Sequence, residues 1–200
     1  MKRRGRELHR FLPARRPVFS SFFSALLLVA LSGCLDCERA SISIDLVHRV
    51  AEVRYFNIVS GSREEETVRE DFRDLINKVY FEEEPAEDPD RITSRRLFGN
   101  KDQLDGRVRF AFRSSTKVLK EYGIETDKDG DYILDLTKES ENYQVSSNGR
   151  WVESGSRKIL KWPKTVEKIE FEQKNKVFDE MGKTRLLSHW QAWMDRNTKK

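Results

Sequence analysis

Two cysteine thiols, Cys34 and Cys37, are the residues of this chain best placed for covalent chemistry. A deprotonated thiol is a strong nucleophile, and its reactivity depends on its surroundings in the chain and the fold. Cys34 ends an apolar stretch: residues 18–31 carry no charge, and the small residues Ser32 and Gly33 follow them directly. This context predicts that Cys34 is modified, and Cys37 lacks the same context.

The segment that precedes Cys34 has the three parts of an export signal. Residues 1–17 carry seven Lys and Arg side chains and one Glu. The apolar run after them is 14 residues long, whereas a helix needs about 20 residues to span a bilayer. This pattern favours a cleaved signal. A plain secretory signal with an accidental cysteine and an uncleaved membrane helix are the alternatives, and two arginine pairs leave the export route open.

The run Leu31-Ser32-Gly33-Cys34 resembles the lipobox of bacterial lipoproteins. The resemblance implies that residues 1–33 are removed, that the Cys34 thiol receives a diacylglyceryl group, and that the new amino terminus receives a fatty acyl chain such as palmitate. It also implies a lipid-anchored protein of the cell envelope, exported to the periplasm, and leaves the face of the membrane open. Because Leu35 rather than Asp follows the cysteine, the family's sorting pattern favours the outer membrane over the inner membrane.

Removal of residues 1–33 changes the charge of the chain. The signal holds seven of the 38 Lys and Arg residues and one of the 34 Asp and Glu residues, which leaves 31 against 33 and a net charge of −2. A nucleic-acid partner is therefore not expected, since binding to phosphates depends on an excess of cationic side chains. Cys37 would be the one remaining thiol, so an internal disulfide is excluded, and a shielded thiol is the favoured state.

Hydrophobic periodicity predicts a single α+β domain over residues 40–200, after a lipidated terminus and short tether at residues 34–39. The expected fold is a mostly antiparallel, twisted sheet of seven to nine strands with one inserted amphipathic helix and a C-terminal helix. A capping box at Ser62 and Glu65 predicts that the inserted helix runs from Ser62 to Phe81. The C-terminal helix is expected within residues 177–194, and Asn148-Gly149 is typical of a two-residue hairpin turn.

No local motif indicates catalysis or a bound cofactor, and no metal site is expected. Asp127, Asp129 and Asp131 alternate as in a calcium loop, but the positions that need Gly and Glu are Tyr132 and Lys138, so a hairpin turn at Asp129-Gly130 is favoured. Gly182-Lys183-Thr184 lacks the first glycine of a phosphate-binding loop. His48 and His189 have no metal-ligand spacing and are expected in surface or capping roles.

The C-terminal segment permits a second kind of site. Trp190, Trp193, Lys199 and Lys200 combine aromatic rings with cations, which suits contact with headgroups or with another envelope protein. Packing of the two tryptophans on the sheet is the favoured alternative, because a sheet with one other long helix needs more cover.

The function expected from the sequence is a lipid-anchored, non-enzymatic envelope protein that binds another envelope component or supports surface structure. Two alternatives come from other classes. A carrier would enclose an apolar ligand between helix and sheet and would need a large apolar pocket. A hydrolase acting on envelope polymers would need two close carboxylates, or a Ser or Cys beside a His, with shifted pKa values.

Overall fold

The computed structural model describes residues 35–81, 91–138, 141–178 and 182–197. Residues 82–90, which include six acidic side chains, lie outside the described residues, as do Cys34, Lys199 and Lys200. The described residues form eleven strands and three α-helices. The strands are β1 Leu35–Asp45, β2 Val50–Ser60, β3 Arg91–Asn100, β4 Gln103–Ala111, β5 Ile124–Thr126, β6 Tyr132–Asp135, β7 Tyr143–Ser147, β8 Arg150–Ser154, β9 Arg157–Trp162, β10 Lys168–Asn175 and β11 Thr184–Arg185; the helices are α1 Glu65–Ile76, α2 Ser115–Glu121 and α3 Leu187–Asn197.

The strands form two antiparallel sheets. The main sheet has seven strands in the order β3-β4-β2-β1-β10-β7, with β11 also paired to β2, and the small sheet has the order β5-β6-β9-β8. This architecture confirms the predicted α+β class with a mostly antiparallel sheet, an inserted helix and a C-terminal helix. The division into two sheets was not expected from the sequence.

One hydrophobic core joins the elements. Ile42 and Ile44 of β1 and Leu75 of α1 are buried in the same cluster as Leu134 and Trp162 of the small sheet. The main sheet therefore has an inner face, which packs on α1 and the core, and an outer face. On β1 the outer face carries Ser41, Ser43 and Asp45, as the alternation in the sequence predicted.

The first strand begins earlier than its sequence pattern suggested. The alternation of apolar residues starts at Ala40, but β1 begins at Leu35, and Leu35 pairs with Ser60 of β2. The alternation is interrupted between Cys37 and Ala40, which both pack on the core although they are three residues apart. On the neighbouring strand β2, Asn57 has a positive φ of 55°. The expected tether at residues 34–39 is therefore wrong from Leu35 onward, where the chain is already part of the sheet.

The inserted helix begins later than expected, and the capping box is wrong. Glu64 is the N-cap of α1 and makes no side-chain capping bond, while the Ser62 hydroxyl accepts a hydrogen bond from the Glu64 amide at 3.1 Å. The predicted amphipathic character of this helix is confirmed, because Val68, Phe72 and Leu75 are buried. A π-helical turn, Asn77–Phe81, continues from α1.

The turn at Asn148-Gly149 is not a hairpin. It leads from β7 in the main sheet to β8 in the small sheet, and neither residue has a positive φ. Gly149 is needed for another reason: a Cβ atom there would lie 2.6 Å from the indole ring of Trp162. The Asn148 Oδ1 atom accepts hydrogen bonds from Trp162 Nε1 at 2.8 Å and from the Glu170 amide at 2.9 Å.

The C-terminal helix is shorter than the expected segment. Residues 176–178 continue from β10 through a turn, and α3 begins only at Leu187. A further short helix, α2, begins at Ser115, and the Ser114 hydroxyl at its N-cap accepts a hydrogen bond from the Lys117 amide.

Candidate functional site

The predicted lipidation residue, Cys34, lies outside the described residues, but the next residue, Leu35, is described. Leu35 is 9% exposed and opens β1, which is flanked by β2 and β10 near the middle of the main sheet. Asp36 forms an ion pair with Lys183 at 2.6 Å, and the Lys183 ammonium also lies 3.9 Å from the centroid of the Phe178 ring. The chain therefore enters the fold directly after Cys34.

The second thiol is held in an unreactive state. Cys37 lies on β1 opposite Ile58 and packs against the hydrophobic core. Burial, reinforced by the negative charge of Asp36, raises the pKa of the Cys37 thiol from 9.0 to about 12. This agrees with the shielded thiol favoured by the sequence.

Buried polar contacts fix the end of the sheet near Leu35. The Asn57 amide donates a hydrogen bond to Asp105 Oδ1 at 2.9 Å, and Asn100 Nδ2 donates to Asp105 Oδ2 at 3.0 Å. The Ser60 hydroxyl donates to Asp71 Oδ2 of α1 at 2.6 Å, and both residues are buried. These bonds tie β2 to β4 and to α1, so the end of the sheet next to Cys34 is a rigid part of the fold.

The two tryptophans of the predicted contact site pack on the protein itself. Trp193 stacks on Tyr80 of the π-helical turn, with ring centroids 4.9 Å apart and planes 23° apart. Trp190 lies near Gly99 of β3, and both tryptophan rings are partly buried against the core. This geometry matches the packing alternative. Lys199 and Lys200, the cations of the same prediction, lie outside the described residues.

The alternating aspartates form the predicted hairpin turn between β5 and β6. Gly130 has a φ of +85°, and the Asp127 carboxylate accepts hydrogen bonds from the Asp129 and Asp131 amides. Lys161 of β9 lies between two of the carboxylates, 2.7 Å from Asp127 and 3.1 Å from Asp131. The Lys161 ammonium therefore occupies the space between the Asp127 and Asp131 carboxylates.

The same contacts set the ionisation of this pair. The hydrogen bond from Lys161 lowers the pKa of Asp127, and the hydrogen bonds from the Lys164 amide and then from Lys161 lower the pKa of Asp131. A carboxyl that acts as a general acid in glycoside hydrolysis needs a raised pKa. This close carboxylate pair therefore gives the hydrolase hypothesis no support.

The two histidines differ in their settings. His48 lies at the exposed β1–β2 turn, where its amide and ring contact the Asp45 carboxylate at 2.7 and 2.9 Å, in agreement with a capping role. His189 is partly buried, and its ring lies 5.7 Å from that of Phe72, so it is a packing residue and not the surface residue that was expected. Within the described ranges, no group of three or more His, Cys, Asp or Glu side chains could hold a metal ion.

An apolar cavity lies between the inner face of the sheet and the end of α1. Its volume is about 30 Å³, and its lining includes Tyr55, Leu75, Val79 and Leu97. That volume holds about one water molecule, whereas pockets for small molecules measure roughly 300–1,000 Å³. This cavity therefore does not support the carrier hypothesis.

Sequence reasoning missed a group of arginines on the outer face of the main sheet. Cross-strand pairing places Arg54 of β2 opposite Arg107 of β4, and Arg107 opposite Arg96 of β3, while Arg109 lies two residues further along β4. We call Arg54, Arg96, Arg107 and Arg109 the arginine patch. No local pattern could have revealed it, because these residues come together only through the register of three strands.

Among the described residues, one carboxylate contacts the arginine patch. Glu52 lies 2.5 Å from Arg54 Nε and 3.8 Å from Arg107 Nη1. Arg96 and Arg109 are exposed, and neither forms an ion pair within the described part of the chain. A polar groove of about 470 Å³ includes Arg54 and Arg109 of the patch in its lining. Its other charged and polar lining residues are Ser41, Ser43, Asp45, His48, Glu52, Lys168 and Glu170.

Comparison with models of known protein families, with curated proteins and with solved structures finds no match to this chain. Among the described residues, no helix is long and apolar enough to cross a membrane.

Proposed function

We propose that this chain is a lipid-anchored protein of the bacterial cell envelope, held by acyl chains on Cys34, in the outer rather than the inner membrane. Its role is to bind another envelope component or to support surface structure, and not to catalyse a reaction. The polar contacts and the pKa directions at the aspartate turn are those of a structural element.

One observation carries the proposal. The lipobox-like run ends at Cys34, and the next residue, Leu35, is buried in the sheet, where it pairs with Ser60 of β2. A cut before Cys34 would leave β1 intact. The charged and apolar segments that lead to Cys34 support a mature chain that begins at this residue.

The anchor has a simple physical basis. Each CH₂ group of an acyl chain buried in a bilayer contributes about 0.8 kcal/mol, and stable attachment needs two or more chains. Since β1 begins at Leu35, the acyl chains would be attached almost directly to a central strand of the sheet. The folded domain would therefore stay within a few ångströms of the headgroups.

The substitution Cys34→Ala tests this proposal. We expect the variant to remain uncleaved or to become soluble, whereas the wild-type protein stays with the membranes until detergent is added. Cys37→Ala is the matched control and should remain membrane-bound, because Cys37 is not the lipidated residue in this proposal. A Cys34→Ala protein that is processed normally and still requires detergent for extraction would contradict the anchor.

A further inference from the structure

We propose that the arginine patch lies on anionic phospholipid headgroups and holds the main sheet flat against the bilayer. This inference rests on the proposed anchor at Cys34 and adds the lipid class and the orientation of the domain. The partner is the bilayer surface itself, not a soluble anion or a protein.

The first argument is the local charge. Like charges directly opposite each other on neighbouring strands destabilise a sheet, yet Arg54, Arg107 and Arg96 form one continuous row across three strands. Of the described carboxylates, Glu52 contacts Arg54 and Arg107 of the row, and it lies opposite Arg109. Three guanidinium groups that share one contacting carboxylate among the described residues favour an external anion, and a guanidinium binds phosphate oxygens with two parallel hydrogen bonds.

The rest of the outer face has no comparable excess of positive charge among the described residues. On β10, Lys168 pairs with Glu170 at 2.6 Å, and Glu172 accepts a hydrogen bond from Arg39 of β1 at 2.9 Å. The chain without residues 1–33 has a net charge of −2. The positive charge is therefore concentrated on β2, β4 and β3, in a molecule that is otherwise slightly acidic.

The second argument is distance from the anchor. Arg54 lies opposite Ser41, which is seven residues beyond Cys34, or about 23 Å along a strand at ~3.3 Å per residue. The Debye length at physiological salt is about 8 Å. If β1 stood upright on the membrane, the patch would lie nearly three Debye lengths above the headgroups and would gain little from them.

A flat orientation brings the patch within reach. Cys34 adjoins a strand of the sheet itself, so the outer face can meet the surface in which the acyl chains are inserted. The helix α1 packs on the opposite face through Val68, Phe72 and Leu75, and Arg54, Arg96 and Arg109 are exposed on the outer face. In the flat orientation, the acyl chains at Cys34 and the arginine patch can therefore both reach the bilayer.

Chemical modification of arginine tests the inference. The purified lipidated protein is placed in vesicles of phosphatidylcholine alone or with phosphatidylglycerol, treated with phenylglyoxal, and digested for mass spectrometry. We expect Arg96 and Arg109 to react roughly fivefold more slowly in the anionic vesicles, the factor that corresponds to ~1 kcal/mol for each basic residue near an anionic surface. About 1 M salt should remove the difference, because the Debye length falls to about 3 Å.

Internal controls are present on α1. Arg69 and Arg73 are exposed on the helix that covers the other face, and they should react equally in both kinds of vesicle. The variant with Arg96→Gln and Arg109→Gln should lose the protection of Arg54 by anionic vesicles. The matched variant with Arg69→Gln and Arg73→Gln should keep it.

The outcomes separate the orientation from the anchor. Equal reaction of the patch in both vesicles, with the protein floating on both, would overturn the flat orientation and leave the anchor intact. Protection by soluble inositol hexakisphosphate without any protection by anionic vesicles would overturn the bilayer as the partner. Failure of the wild-type protein to float on phosphatidylcholine vesicles would contradict the anchor itself.

Discussion

Cys37 lies three residues after the proposed lipid-bearing cysteine, and the fold keeps its thiol protonated. Its pKa of about 12 leaves about one molecule in ten thousand as thiolate at pH 8, compared with about one in ten for a thiol at the ordinary value of 9.0. The neighbouring charges of Asp36 and Lys183 act in opposite directions on this pKa, and burial is the largest cause.

We therefore expect alkylation of Cys37 to be about a thousandfold slower in the folded protein than in guanidinium-unfolded protein at pH 8. The rate should rise about tenfold for each pH unit up to about 12. Iodoacetamide labelling followed by mass spectrometry measures both rates. Labelling of the folded chain within tenfold of the unfolded rate would show that the thiol is not buried as described.

The same pKa has a consequence for stability. Because the folded pKa of Cys37 lies above the ordinary value of 9.0, the contribution of the protonated thiol to the free energy of unfolding is fully present below pH 9 and is lost as the pH rises toward 12. The wild-type protein should therefore lose stability over this range more steeply than the Cys37→Ala variant.

Ser60 and Ser62 are two residues apart but have different roles at the start of α1. The Ser60 hydroxyl donates to the buried carboxyl of Asp71, so Ser60→Ala should lower the free energy of unfolding by about 2 kcal/mol. Ser62 is not the N-cap, and Ser62→Ala should change the free energy of unfolding by less than about 0.5 kcal/mol. Urea unfolding of both variants measures the difference. A larger loss of stability for Ser62→Ala than for Ser60→Ala would support the predicted capping box.

At the scale of secondary-structure elements, α3 acts as cover for β3 and the π-helical turn. The stack of Trp193 on Tyr80 is the clearest contact between these parts. Large aromatic-to-alanine changes in a core cost about 3–5 kcal/mol, and the Trp193 ring is only partly buried.

We expect Trp193→Ala to lower the free energy of unfolding by about 2–3 kcal/mol. Trp151→Ala is the control; Trp151 is 42% exposed on β8 and should lose less than about 1 kcal/mol. Urea unfolding of the lipidated protein in detergent gives both values. Unchanged stability of Trp193→Ala together with weaker membrane or partner binding would favour the contact role that the sequence also allowed.

Sequence periodicity predicted the elements whose side chains alternate or recur on one face. The alternation from Ala40 to Ile44 gave β1, and the spacing of Val68, Phe72 and Leu75 gave α1. These patterns are visible because the side chains on one face of a strand or a helix recur at a fixed spacing in the sequence, and the buried face carries apolar residues at that spacing. The α+β class follows from them directly.

Features that depend on distant partners could not be predicted. Residues 35–39 belong to β1 through their pairing with the end of β2, where the Asn57 amide donates a hydrogen bond to Asp105, 48 residues away. Asn148-Gly149 has the composition of a hairpin turn, but its glycine is required by the ring of Trp162. The arginine patch likewise depends on strand register, which a single sequence does not contain.

At the scale of the whole molecule, the charge of the chain is divided between residues 1–33, the proposed signal, and the chain from Cys34 onward. The basic residues 1–33 account for the high pI of about 9.0, and the chain from Cys34 onward has a net charge of −2. In the proposed account the domain depends on acyl chains for attachment, with the arginine patch as a local electrostatic contribution. Both statements require that Cys34 carries lipid.

The intact mass of the native protein, extracted from membranes with detergent, tests this requirement most directly. We expect a chain that begins at Cys34, with the added mass of a diacylglyceryl group on its thiol and of a further acyl chain on its amino terminus, and with Cys37 unmodified. A mass that corresponds to retained residues 1–33, or to a chain that begins at Cys34 with a free thiol, would contradict the account.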